Sequence, residues 1–305
     1  MLYLFYLFIR RLFASEIKQQ LITRKFYRMV FKMKFITNIV LLISTMSLLA
    51  QNFTQGVIRD FETNKTIPYV NIGIINKSIG TVTNMDGKFE FETQLNVSND
   101  TIKISSIGYK SKSILVSDFF KKLKINSEIF LYPDVTTLNE VVVTSKKLKE
   151  KVIGNKSKSK SVRIGFTDIT LGQEIGTKIK INNNPTYIKS FHTNIAANSN
   201  DSLKYRINFY SIKDGLPNEK IINENIIFPI NVKEGEFTLN LEKYNIKVKE
   251  DIYCTLELIE NPKPEDELFF SAAFLGNKMI IRDVSQGNWE KVGAVGVGFN
   301  CTVKY

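Results

Sequence analysis

The sequence predicts an all-β protein of two β-sandwich domains, the first with seven strands and the second larger, with eight or nine, a jelly roll being one arrangement that fits. Three observations lead there. From residue 51 onward, short runs of β-forming residues alternate with clusters of Gly, Pro, Asn and Asp. No apolar repeat of useful length at the helical period interrupts the runs of the second half. A basic, low-complexity stretch divides the runs into two groups.

The chain of 305 residues carries a formal charge of +12, and the location of that charge decides its meaning. Met1–Ala50 holds eight Lys or Arg and one Glu, and Thr144–Arg163 again holds eight and one. The remainder has 26 basic and 28 acidic residues, so both expected domains are near neutral. A basic footprint for nucleic acid is therefore not expected.

Met33–Ala50 (MKFITNIVLLISTMSLLA) has the parts of a secretory signal: Lys34 as the positive start, Ile39–Leu49 as the apolar run, and Ala50 before the cleavage point. The run is too short for a committed membrane span. The expected organisation is residues 1–32 as an over-extended start or a basic leader, 33–50 as signal peptide, 51–145 as the first domain, 146–163 as a basic linker, and 164–305 as the second domain. Export to the periplasm or the outer-membrane surface follows from the leader.

In the first domain, Gly56–Asp60 starts an alternating run, and Pro68 introduces Tyr69–Ile75. Thr81–Thr83 precedes the turn Asn84–Met85–Asp86–Gly87, where Gly87 supplies positive φ and Asp86 is expected to bond its own backbone. Lys88–Glu92 alternates strictly, with Phe89 and Phe91 on one face. Thr101–Ser106, Lys112–Val116 and Glu128–Leu131 complete the set.

GVIRD, TNKTIPYVNI, IGTVTNMDGKFEF and IKISSIGYKS, in that order over about Thr54–Thr144, resemble the carboxypeptidase-like regulatory domain. The resemblance implies a transthyretin-like seven-stranded sandwich, a non-catalytic companion module of peptidases. One departure is Asn71, where that family has alanine or another small residue. A zinc peptidase is excluded by the single histidine, since such sites need at least two nitrogen ligands. TLNEVVVT (Thr137–Thr144) is similar to the segment that closes this domain in TonB-dependent outer-membrane receptors. Glu140, Val141, Val142, Val143 and Thr144 are accordingly candidates for a strand added to a partner sheet; a final sandwich strand is the plainer reading.

Lys146–Ser161 (KKLKEKVIGNKSKSKS) is expected to be extended by self-repulsion and mobile. Beyond it, runs at 178–181, 187–195, 204–211, 221–230, 236–241, 252–259, 268–274, 279–281 and 295–304 read as strands. In the last, Val295, Val297, Phe299, Cys301, Val303 and Tyr305 alternate with polar or small residues. That pattern suits a half-buried sandwich strand, and also a lipid-facing barrel strand.

Chemistry-bearing residues are sparse. His192 is the single imidazole and has no neighbouring Cys or His in sequence. Glu257, Glu260 and Asp283 are carboxylates with nothing in their spacing to show convergence. Cys254 and Cys301 are either one bridge in an oxidising compartment or two buried thiols. Trp289, in a Gly/Asn/Ser-rich loop, and Tyr210 are the candidate ligand-binding residues. No cofactor and no enzymatic activity are expected. The functional expectation is an exported binding protein of the bacterial cell envelope, its partner an envelope protein or glycan. The alternatives are an accessory to, or fragment of, a TonB-dependent uptake system, and a hydrolase with an unrecognised site.

Overall fold

The computed structural model describes residues 29–38, 51–94, 97–134, 148–166, 170–200, 202–260, 263, 266–274 and 278–305. Residues 29–38 form a helix, α1, in which Thr37 Oγ1 donates to the Met33 carbonyl at 2.8 Å. No helix among the described residues is long and apolar enough to cross a membrane. The apolar run of the leader and the Glu140–Thr144 strand lie outside the described residues.

The first sandwich comprises β1 (Gln51–Asp60), β2 (Asn71–Ile74), β3 (Gly80–Val82), β4 (Lys88–Gln94), β5 (Thr101–Ser105), β6 (Lys112–Leu115) and β7 (Glu128–Leu131). One sheet has the order β4-β1-β7 and the other β3-β2-β5-β6. The pair β1–β7 is parallel, with Ile58 opposite Ile129. Period-2 alternation sends Ile58, Phe89, Phe91, Ile102, Ile104 and Ile129 into one core. The expected seven strands are present. The tight turn also forms, with Gly87 at φ +71°. Its side-chain clamp is Asn84 rather than Asp86: Asn84 Oδ1 accepts from the amides of Asp86 (3.0 Å) and Lys88 (2.9 Å).

Between β6 and β7 the chain forms a helix that the strand reading did not anticipate, α2 (Val116–Ile125). Val116, Phe119 and Leu123 recur at helical spacing and are buried, while Asp118 and Lys122/Lys124 complement the dipole at its two ends. Phe119 closes the sandwich through ring contacts with Phe89 (6.0 Å) and Phe91 (5.6 Å).

The second sandwich runs from β8 (Glu150–Gly154) and β9 (Arg163–Phe166) through β10 (Glu174–Ile179), β11 (Thr186–Asn198), β12 (Lys204–Lys213), β13 (Leu216–Lys220), β14 (Ile226–Pro229), β15 (Gly235–Asn240), β16 (Lys247–Val248), β17 (Ile252–Leu258), β18 (Leu268–Phe274), β19 (Met279–Arg282), β20 (Glu290–Val292), β21 (Val295–Val297) and β22 (Phe299–Lys304). Seven strands make one sheet, β13-β12-β17-β10-β19-β20 with β14 also on β12. Eight make the other, β21-β18-β11-β22-β8, with β15 and β16 on β11 and β9 on β18. The count exceeds the expected eight or nine because short edge strands such as β13, β16 and β20 carry too few apolar residues to signal themselves. Phe191, Phe209, Leu256, Phe270 and Phe299 fill the space between the sheets.

Two expectations for this half change. The basic stretch is not a free linker: β8 lies antiparallel on β22, with Ile153 opposite Cys301. Ser157 Oγ donates to the Ala272 carbonyl at 2.6 Å, and Lys158 and Lys160 pair with Glu236 and Glu234. Acidic partners on the sandwich replace the self-repulsion expected of the lysines. The final run is broken at Gly298, whose amide donates to Ser271 O at 2.8 Å. Its apolar face, Val297, Phe299, Cys301 and Val303, is buried in the core, as the sandwich reading requires.

Candidate functional site

The strongest concentration of charge inside the protein lies on the outer face of the seven-stranded sheet. Alternation along β12 puts Ile207 and Phe209 in the core and leaves Arg206, Asn208 and Tyr210 on the opposite face. Register then aligns four charged residues across four neighbouring strands. Arg206 on β12 stands opposite Glu257 on β17, Glu257 opposite Glu174 on β10, and Glu174 opposite Arg282 on β19. All four are buried, the two carboxylates completely.

Each carboxylate is saturated. Arg206 Nη1 reaches Glu257 Oε2 at 3.3 Å, Asn208 Nδ2 donates to the same oxygen at 2.9 Å, and Lys220 Nζ stands 3.7 Å away. Arg282 pairs with Glu174, which also accepts from the Tyr210 hydroxyl (3.0 Å) and from Thr255 Oγ1 (2.6 Å). Burial pushes the Glu257 pKa up, but Arg206, Lys220 and Arg282 outweigh it and hold the carboxyl at about 2. Burial pushes Lys220 down, and Arg206 and Arg282 add to the effect against Glu257, leaving the amine at about 8. Tyr210 is raised by burial and by Glu174.

The first sandwich is what removes this row from water. Asn71, at the start of β2, donates through Nδ2 to Glu257 and to Ser285 Oγ (2.8 Å), while its Oδ1 accepts from Arg206 Nη1 at 2.6 Å. Arg206 Nη2 donates to the Tyr69 carbonyl. Beside them, the Tyr69 hydroxyl donates to Glu260 at 2.9 Å, and Lys204 pairs with the same carboxylate at 2.9 Å.

The loop after β19 makes the second half of the joint. Ser285 packs into a notch on the β2–β3 hairpin, where a Cβ on Gly73 or Gly80 would stand 2.0 or 2.5 Å from the Ser285 carbonyl oxygen. The amide of Asn76 donates to Gln286 O (3.2 Å), Gln286 Nε2 donates to Ser105 Oγ (2.9 Å), and Asn288 Nδ2 donates to Asn76 O (3.1 Å). Only residues without a side chain permit an approach this close.

Both candidate ligand-binding residues belong to this joint. Trp289 is half-buried, stacked 4.7 Å over the Arg282 guanidinium and edge-on to the Tyr210 ring at 5.6 Å. Tyr210 is a correction: it is 4 % exposed with its hydroxyl on Glu174, so it seals the row instead of facing a ligand. Glu257 finds its carboxylate neighbour in Glu174, not in Glu260 or Asp283. Sequence reasoning missed Glu174 and Arg206 because their alignment depends on strand register, to which spacing along the chain is blind. A buried charge inside an apolar run, as in YRINFY and YCTLELIE, was the available signal.

His192 lies on the solvent-side face of the other sheet. Its Nε2 is 2.8 Å from both Ser190 Oγ and Thr302 Oγ1, and its Nδ1 is 2.9 Å from Thr238 Oγ1. Burial lowers its pKa against the opposing pull of Glu236. Hydroxyls occupy both ring nitrogens, so no carboxylate orients the ring for base catalysis. Among the described residues no group of three or more His, Cys, Asp or Glu could hold a metal ion.

An opening of about 850 Å³ lies beside the joint. Gln55, Val57 and Glu90 form one wall, Leu171, Ile259 and Glu260 the other, and Met85 stands at its rim. Strand β4, which contributes Glu90, ends its sheet.

Residues 54–143 match the family described as the CarboxypepD_reg-like domain, and this segment is such a domain. The family is of a regulatory, non-catalytic type. No curated protein matches the chain. Among solved structures, the cysteine protease and lectin-like domains of Cwp84, a surface-layer-associated protein of Clostridium difficile, align with 11 % identity over 78 % of this chain and 58 % of that one, at a TM-score of 0.39. A clostridial Cwp84 protease after propeptide cleavage aligns at 11 % identity and TM-score 0.37, covering 83 % of this chain and 71 % of its own. Infectious bursal disease virus, Gx strain, aligns at 9 % identity and TM-score 0.27, covering 83 % and 63 %. The chain thus spans a little over half the length of the first of these, and likenesses this distant carry no functional argument.

Proposed function

We propose that this chain is a non-catalytic, exported binding protein of a bacterial cell envelope, acting in the periplasm or at the outer-membrane surface. One observation carries the reading: the densest set of acid–base side chains is sealed into the joint between the two sandwiches, next to an open cleft walled by both. Carboxylates with no exposed surface cannot reach a substrate, so the joint serves to fix the cleft. The export part rests on the leader pattern of Met33–Ala50.

The ligand that suits the cleft best is an extended segment of an envelope protein. Strand β4 borders the cleft at the end of its sheet, the geometry to which a peptide adds as a further strand. A glycan site built on ring stacking is less favoured, because among the described residues the one aromatic lining the cleft is Phe89, which is 3 % exposed.

A photo-crosslinking residue at Val57, introduced into the full chain in cells, tests this. Adducts to a defined envelope protein are expected, and Leu171→Arg should abolish them. Absence of adducts at Val57, or adducts indifferent to Leu171→Arg, would defeat the cleft assignment. Mass spectrometry of the mature N-terminus tests export separately: a start at Gln51 is expected, and one well upstream would sink it.

A further inference from the structure

We infer that the cleft beside the joint selects an extended peptide that is basic on its outward face and apolar on its inward face, held along the open edge of β4. The inference rests on the cleft reading above and adds the chemistry of the partner. Among the described strands, β4 is paired on one side alone, by β1, at the end of the order β4-β1-β7. An added strand finds unpaired main-chain donors and acceptors there, which give affinity without regard to sequence. Selection falls to the side chains.

Alternation along β4 divides what such a strand meets. Phe89 and Phe91 point inward and are 3 % and 2 % exposed, while Lys88, Glu90 and Glu92 point outward and are exposed. The inward row of the added strand continues the layer of Phe89 toward Val82, Leu171 and Ile259, which line the cleft with it. All four are hydrocarbon side chains, so an apolar residue suits that row.

The outward row meets uncompensated charge. Other carboxylates nearby are already neutralised: Glu260 of the cleft wall by Lys204 at 2.9 Å, and Glu128 on β7 by Arg59 at 2.7 Å. Asp86, Lys88, Glu90 and Glu92 have no ion-pair partner among the described residues, which leaves three carboxylates against one amine. Residues directly opposite on paired strands hold their Cβ atoms about 5 Å apart, where opposite charges attract and like charges repel. Lysine or arginine facing Glu90 and Glu92 is therefore drawn in. An acidic strand is turned away, and that repulsion is half of the selectivity.

Fluorescence anisotropy on the full chain tests this with two short, end-blocked peptides, one alternating valine and lysine, the other valine and glutamate. The lysine peptide is expected to bind, and the glutamate peptide about tenfold more weakly. That gap should narrow as salt rises from about 0.05 to 0.5 M. In the double variant Glu90→Lys with Glu92→Lys the preference should swap, a gain that misfolding cannot produce. No binding of the lysine peptide, equal binding of both, or a lysine preference that survives the double variant would overturn the charge selection. Leu171→Arg should weaken the lysine peptide in wild type, and indifference to it would place the peptide outside the cleft and overturn the assignment. Light scattering supplies a further arm: a concentration-dependent dimer that the double variant abolishes would give the edge to a second copy of the chain and defeat the inference. Crosslinks at Val57 separate the two readings. Adducts that persist while the peptide preference fails leave the cleft as a binding site and remove only its basic partner, whereas loss of the adducts removes both.

Discussion

Replacing Asn71 by alanine should break the joint between the sandwiches more severely than it harms either one alone. Asn71 is 2 % exposed and makes three hydrogen bonds, two of them to the charged Glu257 and Arg206. Hydrogen bonds to charged groups contribute about 1.5–3 kcal/mol each, and orphaning a buried charged partner costs about 3–5 kcal/mol. Because Glu257 keeps Asn208 and Arg206, the lower end applies, and a loss of about 3–4 kcal/mol is expected. That is a large share of the usual 5–15 kcal/mol of a folded domain. Guanidinium titration provides the assay, followed by far-UV circular dichroism and by fluorescence of Trp289, the only tryptophan, which sits beside the docking loop. Wild type should unfold with coincident curves. In Asn71→Ala the fluorescence change should precede the loss of ellipticity. Coincident curves with a loss below about 1 kcal/mol would refute the idea that this side chain couples the sandwiches.

The remaining predictions concern charge and close approach. The Glu257 carboxyl sits at about 2 in the fold and near 4.3 when unfolded, so its stabilisation is complete above about pH 4.5 and disappears as the pH falls toward 2; acid titration of Glu257→Gln should lack that component. Lys220 sits at about 8 in the fold and near 10.4 unfolded, so the unfolded chain holds more protons between those values and stability should rise with pH across them. The difference between wild type and Lys220→Met in urea melts at pH 7.5 and 10 should expose that rise, and a difference independent of pH would contradict it. Gly73→Ala places a Cβ 2.0 Å from Ser285 O and should cost about 1–3 kcal/mol in thermal unfolding. Gly293→Ala meets nothing within 4 Å and should stay within about 0.5 kcal/mol.

Local patterns were readable from the sequence wherever the physics is local. Lys88–Glu92 alternates, and it forms a strand with Phe89 and Phe91 inside. Gly87 sits where only a positive φ closes the turn. The α2 stripe of Val116, Phe119 and Leu123 was equally present in the sequence but was overshadowed by the β-forming runs on either side. What could not be read is relational. The aligned row of Arg206, Glu257, Glu174 and Arg282 exists only once four strands have chosen their register. Asn71 stood out as a departure from its family, yet its three partners lie 135 to 214 residues further along the chain. Trp289 was singled out for its loop, which proved to be a docking loop. The basic stretch misled because charge density was weighed without Glu234 and Glu236, distant in sequence and near in space.

The position of β22 also sets the order of events as the chain folds. It inserts between β11 and β8, strands contributed by much earlier parts of the chain, and the pairing extends outward to mutual backbone bonds between Lys149 and Tyr305 at 2.9 and 3.0 Å. Until residues 299–304 arrive, β8 has no sheet to join and β11 shows an unpaired edge. Such long-range closure is slow, and an open edge invites pairing between molecules. Recovery of native protein on refolding should therefore fall as concentration rises, governed by the lifetime of that gap more than by the depth of the final energy well.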